Sequence, residues 1–142
     1  MADLAIHKAI ITGPTGAVGV SLICELISKG IQVTAVCRPH SRRLAAIPKN
    51  KLVNIVECNV DNLCSLKEVL PHDYDVFYHF AWEGTYGVTR QDLRLQAGNI
   101  LYTLDALELA ATIGCKAFIG AGSQSEFGHV EGILHPYMPC DP

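Results

Sequence analysis

The stretch that most constrains this chain runs from Ile10 to Gly19 and reads IITGPTGAVG. A short apolar run leads into it, three glycines follow at a spacing of three, and an apolar pattern of helical period leads out. We therefore expect a strand over 8–12 and a helix over 16–29. The residues that recur at helical spacing, and so define the expected buried face of that helix, are Val20, Ile23, Cys24 and Ile27.

Each glycine of this turn has a physical reason. Gly13 allows a sharp turn off the strand, Gly16 removes a side chain where backbone N–H groups must approach a pyrophosphate, and Gly19 lets the helix pack closely on the sheet. The helix N-terminus adds the positive end of its dipole. The spacing lacks G-K-[ST], which disfavours a P-loop. The pattern favours dinucleotide binding, and a plain strand-turn-helix stays open as the alternative.

Apolar strands and helical patterns alternate along the rest of the chain. Such alternation predicts a parallel sheet covered on both faces, that is, an α/β fold of the doubly wound Rossmann type with five strands. The pattern stops after Ala121, so we interpret 1–142 as an incomplete Rossmann-type domain with a substrate-side loop over 122–142 and its C-terminal strands and substrate part missing. The further predicted elements are strands over 31–37, 52–57, 76–80 and 116–121, and helices over 61–70 and 89–112.

Composition excludes several classes of function. The 142 residues carry a formal net charge of −3, with no basic patch of the kind nucleic acid requires. No apolar run reaches the length of a membrane span. The six cysteines form no C-x-x-C pair and mostly lie in apolar runs, which predicts a reduced, cytoplasmic protein without a metal site.

Four segments, in order, resemble the extended short-chain dehydrogenase/reductases, the group that contains nucleotide-sugar epimerases and dehydratases. Thr12–Gly19 resembles their cofactor loop, and His79–Trp82 resembles the segment along the nicotinamide ribose. Asn99 stands where that family has a structural asparagine, and Gly122–Gly128 resembles the end of its fifth strand. The resemblance covers the whole chain. It implies NAD(P)-dependent hydride transfer on a nucleotide-linked sugar.

The same resemblance assigns the site residues. Ser123 matches the catalytic hydroxyl, which would donate a hydrogen bond to the substrate oxygen; a serine that serves only its own loop is the alternative. Ser125 is a weaker candidate for the same task, and Phe127 replaces a usual tyrosine as an apolar wall. The implied cofactor-binding residues are Gly13, Thr15, Gly16, Ala17, Val18, Gly19, Arg38, Asn59, Val60, Phe80, Ala81, Trp82 and Asn99.

Two departures from the family pattern concern the cofactor. Where the family contacts adenine through an aspartate, this chain has Asn59, which can still accept and donate hydrogen bonds; a simple turn residue is the alternative. After the second strand it has Arg38, with Arg42 and Arg43 close behind, and no acidic residue. Because the arginine fork suits a 2′-phosphate, we expect NADP over NAD, with an exposed basic turn as the alternative.

The family's general base, the tyrosine of Tyr-x-x-x-Lys, has no match here. The one tyrosine after Ser123 is Tyr137, and Asp141 stands four residues later. We therefore expect an N-terminal portion that is inactive alone. A non-catalytic dinucleotide-binding or sensor module, and a role in assembly through an exposed helix, are the alternatives.

The resemblance also implies a homo-oligomer built by helix packing. The helix over 89–112 is expected to place part of its apolar surface on the sheet and a second surface in a protein contact. The unfinished edge of the strand over 116–121 invites pairing with another chain. The apolar residues of that helix are Leu93, Ile100, Leu104, Leu107 and Ala111, and those of the second surface are Leu95, Tyr102 and Leu109.

Overall fold

The computed structural model describes residues 5–123 and 125–141. Gln124, part of the segment that resembles the end of the family's fifth strand, lies outside the described residues. Three short 3₁₀ helices occupy Leu44–Ala46, Val60–Glu68 and Gly87–Gln91. The regular elements are β1 (Lys8–Thr12), α1 (Ala17–Ser28), β2 (Gln32–Cys37), β3 (Val53–Glu57), β4 (Val76–His79), α2 (Leu93–Thr112) and β5 (Ala117–Gly120).

The five strands form one parallel sheet in the order β3-β2-β1-β4-β5. Ile10 of β1 pairs with Thr34 on one side and Phe77 on the other, so β1 lies at the centre. The order reverses between β1 and β4, which is the switch point where open α/β sheets bind ligands at their carboxyl edge. The predicted Rossmann-type fold is confirmed.

Two buried clusters cover the two faces of the sheet. Successive β1 residues point to opposite faces: Ile10 joins the cluster under α2, and Ile11 joins the cluster under α1. Because both faces are covered, the central strands read as continuous apolar runs. The second of these clusters also contains Ile23 and Leu26 of α1.

The buried side of α1 differs from the prediction. Gly19, Ile23 and Leu26 are buried, whereas Cys24 is exposed. The stripe toward the sheet is set by Gly19, whose lack of a side chain lets the backbone of α1 approach the glycine turn.

Burial raises the pKa of Cys37, at the end of β2, to about 11, so that thiol stays protonated.

The predicted assignment of the two faces of α2 is wrong. Leu109 is only 2% exposed and packs in the core beside Ala106 and Ala110. The predicted contact surface is thus partly covered by the chain's own core. The large apolar residues of α2 that point to solvent are instead Leu93, Ile100, Leu101, Leu104 and Leu107.

The segment after β3 also departs from the prediction. Val60–Glu68 is a 3₁₀ helix interrupted by non-helical dihedral angles at Asn62. Leu63 and Leu66 are buried as the apolar spacing requires, but Val69 is 70% exposed. A cavity beside this crossover is lined by Thr34 of β2, Asn54 and Val56 of β3, and Val69.

Asp75 ties together the amino-terminal ends of three strands. Its carboxylate accepts hydrogen bonds from the backbone N–H of His7 at 2.8 Å and of Lys8 at 3.1 Å, and from Lys116 Nζ at 2.9 Å. These bonds lower the pKa of Asp75 from 3.8 to about 2, with the His7 N–H as the largest cause.

The outer edge of β5 pairs with no strand within residues 5–123 and 125–141, and Ile119 there is 45% exposed. Over the same residues, neither α-helix combines the length and the apolar character needed to cross a bilayer.

Candidate functional site

The glycine turn is fixed by contacts that only glycine permits. Gly13 has φ +69°, and a Cβ there would lie 2.6 Å from the carbonyl carbon and oxygen of Phe80. A Cβ at Gly19 would lie 2.5 Å from Gly13 O. The first glycine therefore lets the loop after β4 lie against the turn, and the third lets α1 lie against it.

Gly16 is different, because the described chain itself does not require glycine there. A Cβ at Gly16 would meet only Gly13 O, at an ordinary contact distance of 3.5 Å, and its backbone dihedral angles suit any residue. Gly16 is the N-cap of α1 and supplies no side-chain hydrogen bond, and the next residues, Ala17 and Val18, are exposed. The N-terminus of α1 thus offers open backbone N–H groups and room for a phosphate.

The loop after β4 is joined directly to the end of β1. The Phe80 N–H donates to Thr12 O at 3.2 Å, and the Ala81 N–H donates to Thr12 Oγ1 at 3.3 Å. Next along the loop, Trp82 is 46% exposed, and its indole N–H donates to Gln96 Oε1 at 2.8 Å. The structure therefore brings the predicted residues of this loop against the predicted glycine turn.

Asn99 supports that loop from below. Its side chain is 1% exposed, accepts from the Glu83 N–H at 2.8 Å, and donates to Glu83 O at 2.9 Å and to Gln96 Oε1 at 3.3 Å. Both amide hydrogens are thus used inside the chain. Asn99 is among the cofactor-binding residues expected from the sequence, and that role stays a prediction; in this structure its side chain is buried and its hydrogen bonds go to Glu83 and Gln96.

His79 completes the connections; from the sequence it is named as the first residue of the His79–Trp82 segment but not among the site residues. It is 4% exposed, with Nδ1 2.8 Å from Thr12 Oγ1 and Nε2 3.4 Å from Thr103 Oγ1. Burial lowers its pKa to about 4, so the ring is neutral near pH 7. The available signal was a histidine at the end of an apolar strand, where parallel pairing places it opposite Thr12.

The remaining cofactor candidates follow β2 and β3 at the same edge of the sheet. Arg38 is exposed directly after β2, as are Arg42 and Arg43 in the turn that follows. Asn59 follows β3 and is exposed, and its side chain makes no capping hydrogen bond to the 3₁₀ helix that begins at Val60. Carboxyl ends of parallel strands share one edge, so these residues lie at the same edge of the sheet as the glycine turn, after the first and second strands out from β1.

Ser123 lies three residues beyond β5 and is exposed. Its Oγ accepts the Ser125 N–H at 3.1 Å, so it does serve its own loop, and its hydroxyl hydrogen remains able to donate. In the same loop the rings of His135 and Tyr137 stack with centroids 5.3 Å apart. Asp141 folds back, donating its N–H to Glu126 O at 3.0 Å.

Several known proteins are similar to this chain, in sequence or in fold. The dTDP-6-deoxy-L-talose 4-dehydrogenase (NAD(+)) of Aggregatibacter actinomycetemcomitans is 28% identical over 138 residues, which cover 94% of this chain and 47% of that protein. A crystal structure of a UDP-galactose 4-epimerase matches with a TM-score of 0.77 at 20% identity, over 95% of this chain and 45% of its own. The NAD complex of the Thermus thermophilus UDP-glucose 4-epimerase matches with a TM-score of 0.76 at 19% identity, over 95% of this chain and 44% of its own.

The chain thus spans about half the length of these proteins. At such identities the structural likenesses establish the fold. The model of the NAD dependent epimerase/dehydratase family matches residues 9–142, which is nearly the whole chain. This chain therefore belongs to the NAD dependent epimerase/dehydratase family.

Proposed function

We propose that this chain binds a nicotinamide dinucleotide at the carboxyl edge of β1 and β4, as the cofactor half of a protein that acts on a nucleotide-linked sugar. The observation that carries the proposal is Gly16: the described chain leaves room for a Cβ there, and a ligand that approaches the N-terminus of α1 would account for the missing side chain. The nucleotide-linked sugar is supported by the proteins that this chain is similar to, a dTDP-deoxysugar dehydrogenase and two UDP-hexose epimerases.

Each part of the dinucleotide has a candidate partner. The pyrophosphate would lie on the backbone N–H groups of Ala17 and Val18 beside Thr15, where the dipole of α1 favours an anion. Asn59 and Val60 would contact the adenine. Ala81 and Trp82 would border the nicotinamide ribose. When bound, the cofactor supplies the carbon that accepts and returns a hydride.

Ser123 would take part on the substrate side, in the loop over 122–142. Its hydroxyl would donate a hydrogen bond to the sugar oxygen on which charge develops during hydride removal. Ser123 cannot take that oxygen's proton, and the 142 residues contain no Tyr-x-x-x-Lys to do so. This chain alone is therefore expected to bind the dinucleotide without turning over a sugar. Hydride transfer from a nucleotide-linked sugar to the cofactor, catalysed by a purified protein of these 142 residues alone, would contradict that expectation.

The binding site is tested by Gly16→Ser. Serine is a better N-cap than glycine and its Cβ has room, so the variant should unfold at the same or a higher denaturant concentration. Its side chain would occupy the place of the phosphate, so affinity for NAD(P)H should fall roughly tenfold or more, on the order of 1.4 kcal/mol or more. Unchanged affinity, measured by cofactor fluorescence, would contradict the proposed site.

NADP is proposed over NAD because of the charge near the end of β2. Arg38, Arg42 and Arg43 are all exposed and could pair with a 2′-phosphate. Titration of both cofactors tests this: wild type should bind NADPH more tightly, and Arg38→Ser should remove the preference. Equal affinity or tighter NADH binding in wild type would contradict it.

The solvent-facing leucines of α2 support a homo-oligomer. Leu93 is 83% exposed and Leu104 is 56% exposed, with Ile100 and Leu107 between and beyond them on the same side. We expect sedimentation to show a concentration-dependent dimer that Leu104→Glu weakens; a monomer at all concentrations would contradict this.

The cytoplasmic location, which rests on the cysteine pattern, stays a prediction.

A further inference from the structure

One buried titratable group takes no part in the contacts proposed above. His79 lies at the carboxyl end of β4, directly opposite Thr12 of β1 in the parallel pairing. Both of its ring nitrogens have a hydroxyl within reach, Thr12 Oγ1 at 2.8 Å and Thr103 Oγ1 at 3.4 Å. The ring also stacks near Phe118, with centroids 6.0 Å apart.

The neighbouring hydrogen bonds fix which nitrogen carries the proton. The Thr103 hydroxyl donates its one hydrogen to Asn99 O at 2.9 Å, so its oxygen must accept from His79 Nε2–H. Nδ1 is then bare and accepts from the Thr12 hydroxyl. The Thr12 oxygen in turn accepts the Ala81 N–H at 3.3 Å. The bonds thus run in one direction from the loop after β4, through the imidazole, to the backbone of α2.

We propose that His79, as the neutral Nε2–H tautomer, is a positioning residue that holds the Phe80–Ala81 peptide against the glycine turn. Gly13 leaves no space between the turn and that peptide, since a Cβ would lie 2.6 Å from the Phe80 carbonyl. The residues on both sides of Trp82 are held by hydrogen bonds. The Ala81 N–H donates to Thr12, and the Glu83 N–H donates to Asn99. The part of this inference that concerns cofactor affinity rests on the proposed dinucleotide site.

The test uses two threonines on the same helix. Thr103 and Thr112 both donate to the carbonyl four residues earlier at 2.9 Å, but only Thr103 also receives His79. Thr103→Val removes the acceptor for Nε2–H while keeping the shape of the side chain, and Thr112→Val is the matched control. Loss of one net hydrogen bond predicts roughly fivefold weaker NAD(P)H binding in Thr103→Val and no change in Thr112→Val.

Two measurements without cofactor separate this inference from the proposed function. Nitrogen-15 NMR of the wild-type imidazole should show the neutral Nε2–H tautomer at pH 7. Amide exchange at Ala81 should be faster in Thr103→Val than in Thr112→Val. An Nδ1–H tautomer, a charged ring at pH 7, or equal exchange in the two variants would overturn the inference. If wild type binds no dinucleotide, the proposed function fails while these two results still decide the role of His79. If wild type binds and Thr103→Val binds equally well, the positioning role is wrong.

Discussion

Asp75→Asn should cost about 2 kcal/mol of the free energy of unfolding at pH 7. The carboxylate side chain is 11% exposed and accepts two backbone N–H groups and one ammonium group. Its pKa falls from 3.8 to about 2 on folding, and each unit corresponds to about 1.4 kcal/mol of preference for the ionised form. The His7 and Lys8 N–H groups donate to the same carboxylate oxygen, so an asparagine could keep both of these bonds on Oδ1. It would lose the charge and turn its NH₂ group toward Lys116 Nζ, so the charge-dependent part of the contribution should be lost.

The pH dependence of this loss has a definite sign. At pH values well above 3.8 the carboxylate is ionised in both states, and the fold receives its full contribution. As the pH falls from about 4 to about 2 the unfolded chain binds a proton before the native chain does, so the contribution disappears. The gap in unfolding free energy between wild type and Asp75→Asn should therefore shrink over that window.

Asp73→Asn is the matched control. Its carboxylate is 65% exposed and contacts one ammonium group, Lys8 Nζ, at 2.6 Å. Exposed pairs of this kind contribute roughly 0.5 kcal/mol. Urea unfolding followed by far-ultraviolet circular dichroism at several pH values measures all three proteins. The reasoning would be refuted if Asp75→Asn cost no more than Asp73→Asn, or if its cost stayed constant down to pH 2.

Two further predictions concern the glycine turn and the buried imidazole. Gly13→Ala should destabilise by several kcal/mol, whereas Gly30→Ala, also at positive φ but with no atom within 4 Å of its Cβ, should cost about 1–2 kcal/mol; equal losses in urea unfolding would contradict the close contact with Phe80. The pKa of His79 is lowered from 6.5 to about 4, so below 6.5 the unfolded chain binds a proton that the native chain refuses, and stability should fall by about 3 kcal/mol as the pH drops from 7 to 4. His79→Gln, which retains a donor and an acceptor but does not titrate, should show a flatter profile over that window, and identical profiles would argue against a buried neutral ring.

The strands and the glycine turn could be predicted because their signals are local. The expected strand over 8–12 coincides with β1, and the alternation of elements fixes the parallel sheet. The faces of α2 could not be assigned, because leucines occur all around that helix and periodicity does not say which stripe meets the sheet. The stripe that faces the sheet contains the small residues Ala106 and Ala110, which allow α2 to approach the sheet closely.

Within the candidate site, the sequence identifies residues that belong to short continuous segments, because each segment is recognisable by itself. Thr12 and His79 are far apart in the chain and meet only because β1 and β4 pair. Asn99 was noticed, but its burial and its bonds to Glu83 depend on how α2 lies beneath the loop. Long-range polar contacts of this kind require the sheet order before they can be inferred.

Asp75 immediately precedes β4 and His79 is its last residue, and together they fix how β4 aligns with β1. Val76 and Phe77 are buried with strand β1 beside them, and both faces of the sheet are apolar. Sliding one such strand along the other would exchange one apolar contact for another, so hydrophobic packing alone discriminates weakly between alignments. A shift by even one residue, however, would take Asp75 from the Lys8 N–H and His79 from Thr12. The hydrogen bonds of these polar groups at the two ends of β4 form in one alignment only. They therefore select a single register for two strands whose apolar side chains would pack almost as well in others.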